Sequence, residues 1–138
     1  MLKTLVVTVV IFVISTAVSF ADPEVNMQEG KWEITTKMEI PAMQMDMPPM
    51  KNTTCLTKKD FIPQNSQQGE CKIDQPKVAG NTVTWAMRCS GGHGGDMNGT
   101  GEIIYSGNTL KGTVRMKNTQ SNSEVTSHLT GRRIGECK

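Results

Sequence analysis

Polar and apolar residues alternate along most of the chain. From Lys31 to Ile40, residues Trp32, Ile34, Thr36, Met38 and Ile40 fall on one side, the period of a half-buried β-strand. Val83, Trp85, Met87 and Cys89 alternate in the same way. Ala79-Gly80-Asn81 is a turn signal, and a hairpin folded there sets Cys71 opposite Cys89 and Ile73 opposite Met87. Thr100 to Tyr105 and Thr109 to Lys117 form a second hairpin around Ser106-Gly107-Asn108, with Tyr105 facing Leu110 and Ile103 facing Gly112. Thr53 to Leu56 reads as a short strand, and Glu124 to Thr130 as a strand after the connection Asn118 to Ser123. Ser90 to Gly95 reads as a glycine loop. Thr57-Lys58-Lys59-Asp60 has the form of a capping box and predicts one short helix, ended by Pro63. The expected fold is all-β: an antiparallel meander closing as a small barrel or sandwich, with that helix attached.

The first residues follow another pattern. Lys3 precedes an apolar run from Leu5 to Ile14, broken only by Thr8, and small residues follow. Ser19 and Ala21 occupy the −3 and −1 positions of a cleavage site, so residues 1–21 read as a secretory signal peptide cut after Ala21. A retained membrane anchor is the competing reading, but the run is shorter than the roughly 20 residues a spanning helix needs. The first cysteine is Cys55, far from the cleavage site, which argues against a lipid-modified terminus. The expected product is a periplasmic or secreted protein, 22–138, with no transmembrane anchor after processing.

Export changes the meaning of the cysteines. Cys55, Cys71, Cys89 and Cys137 form an even set in an oxidising setting, so they are read as structural disulfides. The hairpin pairs Cys71 with Cys89, and Cys55 with Cys137 follows by elimination. No Cys-x-x-Cys spacing suggests zinc. Beyond residue 21 the aromatics are only Trp32, Phe61, Trp85 and Tyr105, a modest core that the bridges would supplement. The net charge of +2 carries no basic stripe, so no nucleic-acid partner is expected.

Gly30-Lys31-Trp32-Glu33-Ile34, the Met/Pro stretch from Met43 to Met50, Cys55-Leu56-Thr57, the Trp85 to Cys89 strand and Gly135-Glu136-Cys137 occur in that order. Together they resemble the exported bacterial family called domain of unknown function 3617. The resemblance implies a bacterial envelope protein and supplies no activity, ligand or catalytic residue.

Candidate chemistry is sparse. There is no Gly-x-Ser-x-Gly, and Gly91-Gly92-His93-Gly94-Gly95 lacks the Lys-Ser/Thr of a phosphate loop. With the cysteines bridged, no thiol remains to pair with His93 or His128. Asp46, Asp60, Asp96, Glu102 and Glu124 show no spacing that suggests paired-carboxylate catalysis. No catalytic residue and no resident cofactor are expected.

The methionine segment is the unusual feature. Met43, Met45, Met47 and Met50 lie in a proline-flanked stretch after Met38. Thioethers are soft ligands suited to Cu(I), and His93 or His128 could add to them. Methionine is also an adaptable cover for apolar surface. The leading expectation is a non-catalytic domain that binds an unidentified ligand or protein partner in the cell envelope. The alternatives are a Cu(I)-handling protein using those four methionines and an enzyme of unknown class.

N-terminal sequencing of the exported protein is expected to begin at Asp22; a membrane-embedded chain that retains Met1 would refute processing after Ala21.

Overall fold

Among the described residues, eight strands form one continuous antiparallel sheet: β1 (Gly30–Glu39), β2 (Met50–Leu56), β3 (Glu70–Ile73), β4 (Lys77–Ala79), β5 (Thr82–Gly92), β6 (Gly95–Tyr105), β7 (Thr109–Asn118) and β8 (Glu124–Gly135). The computed structural model describes residues 24–44, 47–64, 70–93 and 95–138, so the expected export segment lies outside the described residues. The strand order is β2-β1-β8-β7-β6-β5-β3, with β4 also paired to β5. Neighbours in the sheet are mostly neighbours in sequence. The exceptions are β3, which pairs with β5 across the short β4, and β8, which returns to lie between β7 and β1.

Each hairpin has the register that its apolar alternation requires. Cys71 pairs with Cys89 and Ile73 with Met87; Tyr105 pairs with Leu110 and Ile103 with Gly112. A slip of one residue would turn these side chains to solvent. The disulfides join Cys71 to Cys89 and Cys55 to Cys137.

Three expectations need correction. The sheet neither closes into a barrel nor splits into a sandwich: it curls into a half-barrel whose edges, β2 and β3, stay apart in the strand order. The strands β2, β5, β6 and β8 run further than the alternation suggests, and β5 and β6 absorb most of Ser90 to Gly95. No helix forms among the described residues. At the expected helix, the Thr57 and Asp60 backbones bond to each other in both directions, and the Asp60 N–H also donates to Thr57 Oγ1 at 3.1 Å. These bonds close a single turn. Ile62 is then drawn into the core and Pro63 has no N–H to extend a helix.

One face of the sheet is apolar and lies inside the curl. Trp32, Ile34, Leu56, Val83, Trp85, Met87, Ile103, Tyr105, Leu110, Val114, Met116 and Leu129 are all buried there. Glycines on the same face relieve their crowding. Gly99 and Gly101 on β6, Gly112 on β7 and Gly131 on β8 run diagonally across it, and each is covered by a large neighbour. The Trp85 indole lies over Gly101 and the Met116 sulfur over Gly99. A Cβ on Gly112 would stand 2.6 Å from Ile103 Cγ1, and one on Gly131 would stand 2.7 Å from Ile34 Cδ1. In a curled sheet the inner side chains converge, and glycine leaves room for them to lie flat.

Gly101→Ala is expected to cost about 1–3 kcal/mol by overpacking. Gly135→Ala, where an added Cβ meets nothing within 4 Å, should stay within about 0.5 kcal/mol. Urea denaturation of the two variants measures both; equal stabilities would refute the packing role of Gly101.

Candidate functional site

Two segments cover one end of the inner face. The first precedes β1. Met27 bridges to Gly107, the Gln28 N–H donates to the Gly107 carbonyl at 2.9 Å, and Val25 and Met27 are buried. The Trp32 indole N–H donates to the Gln28 carbonyl at 3.1 Å. The second follows the Thr57 turn and brings Phe61 and Ile62 onto the sheet. Here the Tyr105 hydroxyl donates to the Phe61 carbonyl. Beneath these segments the Trp32 and Tyr105 rings meet edge to face, with centroids 6.0 Å apart. The segments are joined to each other: the Lys58 N–H donates to Glu29 Oε1 at 2.8 Å, and the Lys58 ammonium pairs with Glu24. Arg133 Nε donates to the Glu29 carbonyl at 2.8 Å and ties the first segment to β8.

Past Ile62, Pro63 and Gln64 line one side of a hollow of about 150 Å³, whose other lining residues are Ile34, Thr36, Met50, Lys51, Asn52 and Leu129. Ile34 and Leu129 are buried and give it an apolar floor. Pairing of Ile34 with Asn52 and of Thr36 with Met50 and Leu129 sets these residues in adjacent inner rows. The Thr36 hydroxyl and the Asn52 amide take no hydrogen-bond partner among the described residues. A third polar group lies on the inner face of β5. Trp85 Nε1 is buried and has no acceptor among the described residues.

The outer face differs in chemistry. A groove of about 550 Å³ beside the β3–β4 connection mixes Asp74, Lys77, Glu102 and Arg115. Another, of about 700 Å³, mixes Glu70, Lys72, Arg88 and Asp96. Both carry charges of both signs and offer no field of a single sign.

The methionine segment forms the β1–β2 connection. Met43, Met47 and Met50 are exposed, Met50 opens β2 at the hollow, and Met45 and Asp46 lie outside the described residues. The histidines are not brought together with them. His93 is exposed in the β5–β6 turn, and His128 sits on the outer face, 3.4 Å from the Glu39 carboxylate. Among the described residues no group of three His, Cys, Asp or Glu side chains is placed to hold a metal. Of the carboxylates considered in sequence, Asp60 lies in the turn beside Tyr105, whereas Glu102 and Glu124 point outward from the sheet. The alternation of β1 sets Thr36 on the inner side but does not mark it as a site. The inner placement of Asn52 follows from the β1–β2 register, which the short strand expected at Thr53 did not reach.

The family model described as "Protein of unknown function (DUF3617)" matches residues 27–137. No curated protein and no solved structure matches the chain.

Burial pushes the Tyr105 hydroxyl well above its ordinary value, and the nearby Asp60 carboxylate adds to the shift. The folded state therefore favours the neutral phenol more than the unfolded state does. That contribution is fully present below the unfolded value of about 10 and is lost as pH rises above it. Tyr105 is the only tyrosine, so phenolate absorbance reports on it alone. Ionisation is expected only together with alkaline unfolding, and Tyr105→Phe should cost about 1–3 kcal/mol near neutral pH by leaving the Phe61 carbonyl unpaired. A phenolate that titrates near 10 in the folded protein would refute the buried clamp.

Proposed function

The chain belongs to that family, and from its own residues we propose that it is an exported, non-catalytic binding domain that holds a small, mostly apolar molecule in the cell envelope. The hollow lined by Pro63 and Gln64 carries the reading. It joins an apolar floor, Ile34 and Leu129, to two polar groups, Thr36 and Asn52, that can orient one carbonyl or hydroxyl. Apolar walls with a few placed polar groups are the ordinary composition of a ligand site. Its volume is below the roughly 300–1,000 Å³ usual for drug-sized ligands, so it suits a small molecule or one end of a longer one.

Export is supported by the signal-like residues 1–21, and a periplasmic or secreted location follows from it. A binding role is favoured over catalysis because His93 and His128 stand on different parts of the molecule, away from the hollow. The mixed outer charges favour neither nucleic acid nor a strongly charged partner. The exposed Met43, Met47 and Met50 at the hairpin end fit contact with an apolar ligand or partner entering beside the hollow.

Native mass spectrometry of protein isolated from the envelope tests the reading. The expected result is a retained small molecule, lost when Thr36→Phe fills the hollow while the circular dichroism spectrum is unchanged. A wild-type protein without added mass, or a Thr36→Phe variant that keeps it, would overturn the proposal.

A further inference from the structure

The inner face carries a second set of methionines, distinct from those of the β1–β2 connection. Met87 on β5 and Met116 on β7 both pair with Gly99 on β6, one from each side. Met97 precedes Gly99 by two residues on β6, so it shares that face and stands diagonal to both. Gly99 has no side chain, and a Cβ there would collide with the Met116 sulfur. The Met116 thioether therefore folds back toward β6 and lies over the glycine, next to the sheet positions of the other two. Diagonal neighbours on a sheet face have Cβ atoms about 7–8 Å apart or less, within reach of side chains whose sulfur lies two bonds further out.

The setting of this triad differs from that of the connection. Met87 and Met116 are buried and Met97 is packed against the same core, so sheet register holds all three. Met43 and Met47 are exposed. The neighbouring Cys71 and Cys89 are bridged and provide no thiolate. Three neutral, polarisable thioethers without a carboxylate or imidazole in the same rows suit a soft monovalent cation and disfavour a hard divalent one. We propose that Met87, Met97 and Met116 form a three-coordinate thioether site for one Cu(I) ion, for which Ag(I) is the air-stable probe. The site uses β5, β6 and β7, whereas the hollow uses β1, β2 and β8, so the two proposals stand or fall separately.

Trp85 supplies the readout. It lies two residues before Met87, and its indole covers Gly101, the next inner-facing residue after Gly99 on β6. A metal ion in the triad is expected to quench its fluorescence. The purified full chain is titrated with Ag(I) by calorimetry and fluorescence, and with Cu(I) against a competing chelator without oxygen. One ion per chain is expected. The variant M43L/M45L/M47L/M50L should bind within a few-fold of wild type. M87L/M97L/M116L should bind about 100-fold or more weakly, because it loses every ligand while conserving core volume. Circular dichroism checks folding. If the triple variant does not fold, Met97→Leu at its half-buried position provides the test, with about 10-fold weaker binding expected. The proposal is overturned by no Ag(I) binding in wild type, by binding that depends on the connection and not on the triad, or by unchanged affinity in Met97→Leu.

Discussion

The curl depends on what the inner face leaves out. A sheet with large side chains at every inward position would splay, because those chains converge as the sheet bends. Gly99, Gly101, Gly112 and Gly131 remove a Cβ at successive steps across β6, β7 and β8. The neighbours then lie along the sheet instead of standing up from it, and the freed depth admits the covering segments. Trp85 over Gly101 and Ile34 with Leu110 over Gly131 are the two clearest cases. In both, a large residue on one strand is matched to a glycine on the next, so burial of the large residue and curvature of the sheet are one packing solution.

The two ends of the trough are held differently. At one end a dense set of bonds links three parts of the chain: Trp32 to Gln28, Tyr105 to Phe61, Lys58 to Glu29 and Arg133 to Glu29. The Trp32 and Tyr105 bonds are partly buried and satisfy polar atoms that the cover would otherwise strand, whereas the two Glu29 bonds are exposed and tie the segments together. Past Ile62 they give way to the hollow, whose Thr36 and Asn52 keep free hydrogen-bonding capacity within the described residues. The edges are managed without closure. The edge strand β2 is mostly polar and exposed, and the Cys55–Cys137 bridge ties it to the C-terminal segment, while β3 at the other edge is short and bridged to β5.

Much of this was legible in the residues. Period-two alternation revealed β1, β5 and the β6–β7 hairpin, and Gly80 placed Cys71 against Cys89, because each choice is local or spans one turn. The capping-box reading of Thr57 failed because the same side-chain bond also closes a lone turn, and the pull of Phe61 and Ile62 toward the core decides between the two. Curvature was not legible either. A glycine in an alternating strand does not announce which neighbour will cover it. The hollow was hidden for a related reason: Thr36, Asn52, Leu129 and Pro63 come from separate parts of the chain, and none carries a chemical signature alone. The exposed methionines drew attention by clustering in sequence, whereas Met87, Met97 and Met116 cluster only after three strands pair.

The return of β8 between β7 and β1 has a consequence for how the molecule is made. The β1–β2 hairpin emerges early, yet the other strand that pairs with it among the described residues is nearly the last segment to appear. Strands β5, β6 and β7 can assemble through short turns while that hairpin waits without a partner, and isolated two-stranded hairpins are barely stable in water. The arrival of β8 joins the two parts across a large sequence separation, a slow step by its loop-closure cost. Cys55 and Cys137, 82 residues apart, come together in the same event, so their bridge records that the chain has finished folding. A chain that stops before β8 would leave the β1–β2 hairpin and the edge of β7 both unpaired, two open strand edges ready to pair with another chain.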